Sequence, residues 1–151
     1  MSRLRKVRGF RLAVPLEVRF KDIDSMGHVN NAVYFTYFEN ARIAYWNALK
    51  KSRVRGDVEY VVARAECDFK SQVTLEDVLS CHIRVSSFGR SSFCFEYLIR
   101  ENRSGRAIAA GRTVQVGYDY RKGRVRPIGE PIRRLIRRFE RRPIPDHPAR
   151  A

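Results

Sequence analysis

The rhythm of apolar and polar residues changes several times along this chain, and each change predicts an element. In LEVRF, Leu16–Phe20, apolar and polar positions alternate, which predicts a first strand. A polar stretch, Lys21–Asn31, follows as a loop. Apolar residues then recur at Val33, Tyr37, Ala41, Ala44, Tyr45 and Ala48. That spacing marks one face of a helix of about four to five turns. Tyr34 and Phe38 widen the stripe, so the helix should be buried on most sides. It should end near Lys50, where Lys, Ser and then Gly56 break the pattern.

From Gly56 to about residue 120 the period shortens to two, as in strands. Ala65, Cys67 and Phe69 alternate with Glu66, Asp68 and Lys70. Leu79, Cys81, Ile83 and Val85 share one side of a second run, and Phe93, Phe95, Tyr97 and Ile99 one side of a third. Ala107–Tyr120 continues the theme. SFGRSS (Ser87–Ser92) and ENRSGR (Glu101–Arg106) supply turn residues between them. Long strands without intervening helices favour an antiparallel sheet joined by hairpins. In Glu130–Arg142, Ile132, Leu135, Ile136 and Phe139 form an apolar helical face opposite a row of arginines, and Pro131 suits a first turn. The proline-rich residues 143–151 read as a disordered tail. One helix against one antiparallel sheet is an α+β fold in two layers, expected as a single domain over residues 1–142.

Composition narrows the class. The 151 residues carry 17 aromatics and no apolar run near the roughly 18 residues of a membrane span. Met1–Phe10 is basic, but no apolar signal core follows. With only three cysteines, Cys67, Cys81 and Cys94, this favours reduced thiols in a cytoplasm. His28, His82 and His147 are the only histidines, and no CxxC or HExxH occurs, so no metal site is expected. Cys81 beside His82 suggests a nucleophile and its base, yet neighbours on a strand point to opposite faces.

The net charge of +15 is uneven. Residues 1–11 hold five Lys or Arg and no acid; residues 119–142 hold ten against three acids. Basic ends suit a polyanion: a phosphate-bearing ligand, an acidic protein or nucleic acid. No DNA-reading helix-turn-helix is visible, which weighs against nucleic acid.

The densest chemistry lies in FKDIDSMGHVNN, Phe20–Asn31, between a strand and a helix start. A helix N-terminus presents unpaired N–H groups and partial positive charge, and can hold an oxygen that develops negative charge. Gly27 permits a sharp turn. Asp24, His28 and Asn30 then stand near that site, and a carboxylate, an imidazole and a backbone amide suffice for acyl hydrolysis. Asp22, Asp24, Asn30 and Asn31 would equally organise a turn and cap a helix. Glu39 and Arg42, at i and i+3, suit a surface ion pair, and Glu39 an approach to the pocket.

The stretch DIDSMGHVNNAVYFTYFENAR, Asp22–Arg42, closely resembles the signature of hotdog-fold thioesterases of the 4-hydroxybenzoyl-CoA thioesterase type. Asp22, Asp24, Gly27, His28, Val29, Asn30, Asn31, Tyr34, Tyr37, Glu39, Ala41 and Arg42 all match. The order of elements over roughly residues 14–120 matches too. The resemblance implies a long central helix wrapped by a five- to six-stranded antiparallel sheet. It implies hydrolysis of an acyl-CoA, or of an acyl carrier protein thioester, without a cofactor. Asp24 is implied as nucleophile or general base, the Asn31 backbone N–H as oxyanion donor, and His28 as a catalytic residue. Gly27, Val29 and Asn30 are expected around the substrate, and Arg90, in a basic turn, on the nucleotide. Self-association into a dimer or tetramer is implied, with sheets continuous across the dimer. A non-enzymatic acyl-CoA-binding protein is the remaining alternative, since a fold alone does not fix function.

Overall fold

The computed structural model describes residue 4 and residues 6–50 and 59–146. Gly56, expected to break the helical pattern, and residues 147–151 lie outside them. The order is β1 (Leu12–Leu16), α1 (Val33–Lys50), β2 (Tyr60–Phe69), β3 (Leu79–Phe88), β4 (Ser92–Glu101), β5 (Ala107–Asp119), β6 (Arg124–Val125) and α2 (Glu130–Glu140). All pairings among these strands are antiparallel, in the order β1-β3-β4-β5-β2, with β6 on β5.

The expected helix forms from Val33 to Lys50 and buries Tyr34, Tyr37, Phe38, Ala41, Tyr45 and Leu49. This face meets the inward positions of β4, where Phe93, Phe95, Tyr97 and Ile99 are buried as the alternation predicts. Phe38 stacks on Tyr97 with centroids 4.2 Å apart, and Tyr45 meets Phe95 edge-on at 4.9 Å. Each such ring contributes about 1.5–3 kcal/mol by leaving water. Gly111 on β5 makes the close approach possible: a Cβ there would stand 2.3 Å from the Phe38 ring.

The first strand differs from expectation. It covers Leu12–Leu16 and not Leu16–Phe20, pairing Leu12 with Ile83 and Leu16 with Leu79. The alternation misled because Pro15 lies inside the true strand. An edge strand tolerates proline, since one side of it carries no ladder. Phe20–Asp22 forms a 3-10 turn, and Phe20 is 84% exposed.

Glu140, in the last turn of α2, faces inward and not to solvent. Its Oε1 accepts from the Tyr45 hydroxyl and the Val85 N–H, both at 2.8 Å. Burial pushes the Glu140 carboxyl up, against the pull of these donors and of Arg142. The chain then runs back along β3: Phe88 donates its N–H to the Pro145 carbonyl at 3.0 Å, and Ile144 is buried. Residues 143–146, expected within the disordered tail, are therefore packed. Cys81 and His82 do face opposite ways. Cys81 is in the core, and His82 lies against the Phe10 ring on the other face, with Nδ1 3.3 Å from the Leu98 carbonyl.

Candidate active site

The loop Phe20–Ala32 is shaped by its own backbone. Asp24 N–H donates to the His28 carbonyl (2.8 Å), Asn30 N–H to the Asp22 carbonyl (2.9 Å) and Val29 N–H to the Val73 carbonyl (2.9 Å). Ile23 and Val29 form an antiparallel bridge. The reversal between them needs φ +81° at Gly27, where L side chains are strained. Val29 is buried and anchors the loop, whereas Gly27 and Asn30 are exposed.

The two aspartates have different jobs. Asp22 is 6% exposed, and its Oδ2 accepts from the Arg19 N–H (2.9 Å) and the Tyr37 hydroxyl (3.2 Å). Burial and the Asp22 charge push the Tyr37 phenol up, so it stays a donor. Tyr37, on the apolar face that the spacing marked, thus also ties the loop to α1. Asp24 is half-buried. Its Oδ1 accepts from the Met26 N–H at 2.9 Å and lies 3.5 Å from the His28 nitrogen. Among the described residues none donates to its other oxygen.

Asn30 opens the helix. Its side-chain oxygen accepts from the Ala32 N–H (2.9 Å) and its carbonyl from the Val33 N–H (3.0 Å). Between these two satisfied groups, the Asn31 N–H has no acceptor among the described residues. A half-buried carboxylate, an imidazole and an unspent backbone donor are therefore gathered at one helix start. His28 is half-buried within the same loop.

Arg90 is not brought to this place within one chain. It sits in the β3–β4 turn, its carbonyl accepting from Ile128 N–H at 3.0 Å. The loop lies at the other end of the sheet, about 30 Å away along strands of this length. The expected Glu39–Arg42 pair is absent among the described residues. Glu39 is exposed, and Arg42 turns inward to donate to the Tyr97 hydroxyl at 3.1 Å. No cluster of three or more metal-ligating side chains occurs among the described residues. No described helix is long and apolar enough to cross a membrane.

A family model described as the thioesterase-like superfamily matches residues 18–147. The chain belongs to that superfamily. Its fold is the hotdog arrangement of these thioesterases, a long helix against an antiparallel sheet. A thioesterase of Thermus thermophilus, solved in complex with coenzyme A and Zn, is 39% identical with a TM-score of 0.80, covering 91% of this chain and 100% of that one. A Xanthomonas campestris protein proposed to be an acyl-CoA thioesterase is 29% identical with a TM-score of 0.65, covering 74% of this chain and 95% of that one. The uncharacterized protein YsmA of Bacillus subtilis is 34% identical over 109 residues, 72% of this chain and 74% of that one. The candidate loop falls inside the matched region of the family model, and residues 1–17 lie before it.

Proposed function

We propose that this protein is a thioesterase that hydrolyses an acyl-CoA, with Asp24 as the catalytic carboxylate and the Asn31 N–H as the oxyanion donor. The observation that supports the reading is that one carboxylate oxygen of Asp24 and the Asn31 N–H, both in the segment that leads into α1, lack a partner among the described residues. The thioester carbonyl rests on the N–H and the positive end of the helix. Asp24 takes a proton from water as the water oxygen adds to the carbonyl carbon. The C–S bond then breaks, and the thiolate regains a proton as the acid leaves. Asp24 acting as nucleophile would pass through a mixed anhydride. Label in the Asp24 carboxylate after single turnover in heavy-oxygen water identifies the nucleophilic route with water adding at the Asp24 carbonyl, and trapping of the acyl group by hydroxylamine identifies that route when water adds at the acyl carbon. His28 closes the loop and lies beside the leaving group.

The same reading includes a second copy. β2 is ten residues long, is largely exposed, and among the described strands pairs only with β5. Antiparallel pairing of β2 with its copy would satisfy that edge. It would also place the partner's turn end beside this chain's loop end. Arg90, the β5–β6 turn residues Arg121 and Lys122, and Arg124 at the start of β6 would then reach the substrate phosphates from across the interface.

The test is thiol release from a panel of acyl-CoAs by wild type and Asp24→Asn. Hydrolysis that collapses in the variant supports the reading; activity that survives moves the chemistry elsewhere. Turnover of acyl carrier protein thioesters alone would favour the carrier as substrate, which the acidic surface of such a partner and the exposed arginines of α2 would suit. Sedimentation at graded concentration tests the dimer.

A further inference from the structure

Beside α1 the sheet is incompletely covered. The register places Ala65, Cys67 and Phe69 of β2 opposite Thr113, Gly111 and Ala109 of β5. Phe69 meets the Tyr34 ring at 5.0 Å, so this face of β2 points to the helix layer. Yet Phe69 is 50% exposed and Ala65 is exposed, while the equivalent positions on β4 are buried. An open trough therefore runs between α1 and β2, from the candidate loop towards the level of Ala65. Its length is about 13 Å, counted as four strand residues or as nine helix residues from Val33 to Arg42.

The far end of the trough is polar, and its polarity has a direction. The Gln115 amide is satisfied when its oxygen accepts from Thr113 Oγ1 (2.5 Å) and its nitrogen donates to the carbonyls of Thr113 and Phe93, each at 3.1 Å. Thr113 then accepts from the Tyr97 hydroxyl at 2.6 Å, and Tyr97 accepts from Arg42 at 3.1 Å. Tyr97, Thr113 and Gln115 are buried. Burial, against the opposing pull of Arg42 and Thr113, pushes the Tyr97 phenol up to about 12, so it remains a donor. Every proton in this relay points away from Arg42. Arg42 is half-buried and makes no ion pair among the described residues, so the rest of its guanidinium is unspent. Among the described residues, the group this relay leaves open to a ligand is the Arg42 guanidinium, a donor with a fixed positive charge.

We propose that Arg42 is a specificity-determining residue, and that the preferred acyl group carries a carboxylate at the end remote from the thioester. This rests on the thioesterase reading of the loop. The loop holds the carbonyl, the trough holds the methylenes, and the guanidinium receives the distal carboxylate through paired N–H donors. A neutral acceptor such as a hydroxyl would leave the charge of this half-buried guanidinium uncompensated.

The experiment compares matched acyl-CoAs of graded length, each made with a terminal methyl, hydroxyl or carboxylate. At one length the carboxylate form is expected to exceed the methyl form in kcat/KM by about 10- to 100-fold, the value of a hydrogen bond to a charged group. Arg42→Gln removes that preference, read within the variant as the ratio of carboxylate-ended to methyl-ended kcat/KM. Tyr97→Phe keeps the ring stacked on Phe38 and reduces the preference partly, through KM. It also serves if Arg42→Gln does not fold. Equal or faster turnover of methyl- or hydroxyl-ended substrates at every length overturns the proposal, as does a preference that survives Arg42→Gln. If none of these acyl-CoAs is hydrolysed, the acyl-CoA reading fails by itself. Calorimetric binding of the same substrates then decides this one: tighter binding of the carboxylate form that depends on Arg42 supports it, and equal binding overturns it.

Discussion

The two ends of α1 handle polar groups in opposite ways. At its start, Asn30 caps the helix, while the Asn31 N–H and one oxygen of Asp24 have no protein partner among the described residues. Towards its end, Tyr45 gives its hydroxyl to Glu140, which also takes the Val85 N–H, and the whole cluster is buried. Both regions contain a carboxylate near helical backbone. One leaves hydrogen-bonding capacity available to a ligand, and the other consumes it in packing. Polar density alone therefore does not mark a site; unspent capacity next to an opening does.

The difference is testable, beginning with the largest effect. Asp24→Asn is expected to lower kcat for thioester hydrolysis by about 100- to 10,000-fold, the range of general base catalysis. Its melting temperature should stay near wild type; a variant that loses stability and keeps activity would reverse the assignment. Glu140→Ala is expected to do the converse. Two buried donors lose their acceptor, at a cost of about 2–5 kcal/mol in chemical denaturation, with kcat of the folded fraction unchanged.

Tyr37→Phe sharpens the comparison because Tyr37 links the two regimes. It removes one bond to Asp22 and should cost about 1 kcal/mol, with a several-fold activity loss as the loop loosens. The smallest effects are pH-dependent. Glu140 holds its proton more tightly folded than unfolded, so its contribution is complete below about 4.5 and is lost as pH rises through the raised value. The stability gap between wild type and Glu140→Gln should therefore shift in favour of the variant over that window. Glu101 behaves oppositely. Burial opposes its charge, but the N–H groups of Ser104 and Arg103 and the Ser104 hydroxyl prevail and bring it down to about 2. Its contribution is present above the unfolded carboxylate range and is lost as pH falls towards 2. Glu101→Gln should flatten that acid limb.

Short-range pattern explains what was legible. The spacing from Val33 to Lys50 and the alternation in β3–β5 are periodic over many residues, so helix and sheet could be read directly. The loop was legible as a motif, and its positions gather at the helix start. Pro15 hid β1, because its intolerance applies to central strands and β1 is an edge. The inward turn of Glu140 depends on Tyr45, 95 residues away, and that of Arg42 on Tyr97, 55 residues away. Nothing local distinguishes Glu140 from the solvated charges beside it, and the motif that contains Arg42 does not say which way its side chain turns. Arg90 matched by type and turn, but its place relative to the loop depends on which chain supplies it.

The free edge of β2 has a consequence during synthesis. Every new chain carries a ten-residue strand whose outward-facing N–H and C=O groups pair with no other described strand, open to any passing one. Arg64, Glu66 and Asp68 alternate along its outer face, and Arg64 and Glu66 pair at 2.9 Å. Their charges make indiscriminate stacking of the nascent protein unfavourable while leaving a complementary edge acceptable. Replacing all three with valine should send freshly made protein into inclusion bodies, although the fold itself asks nothing of those positions.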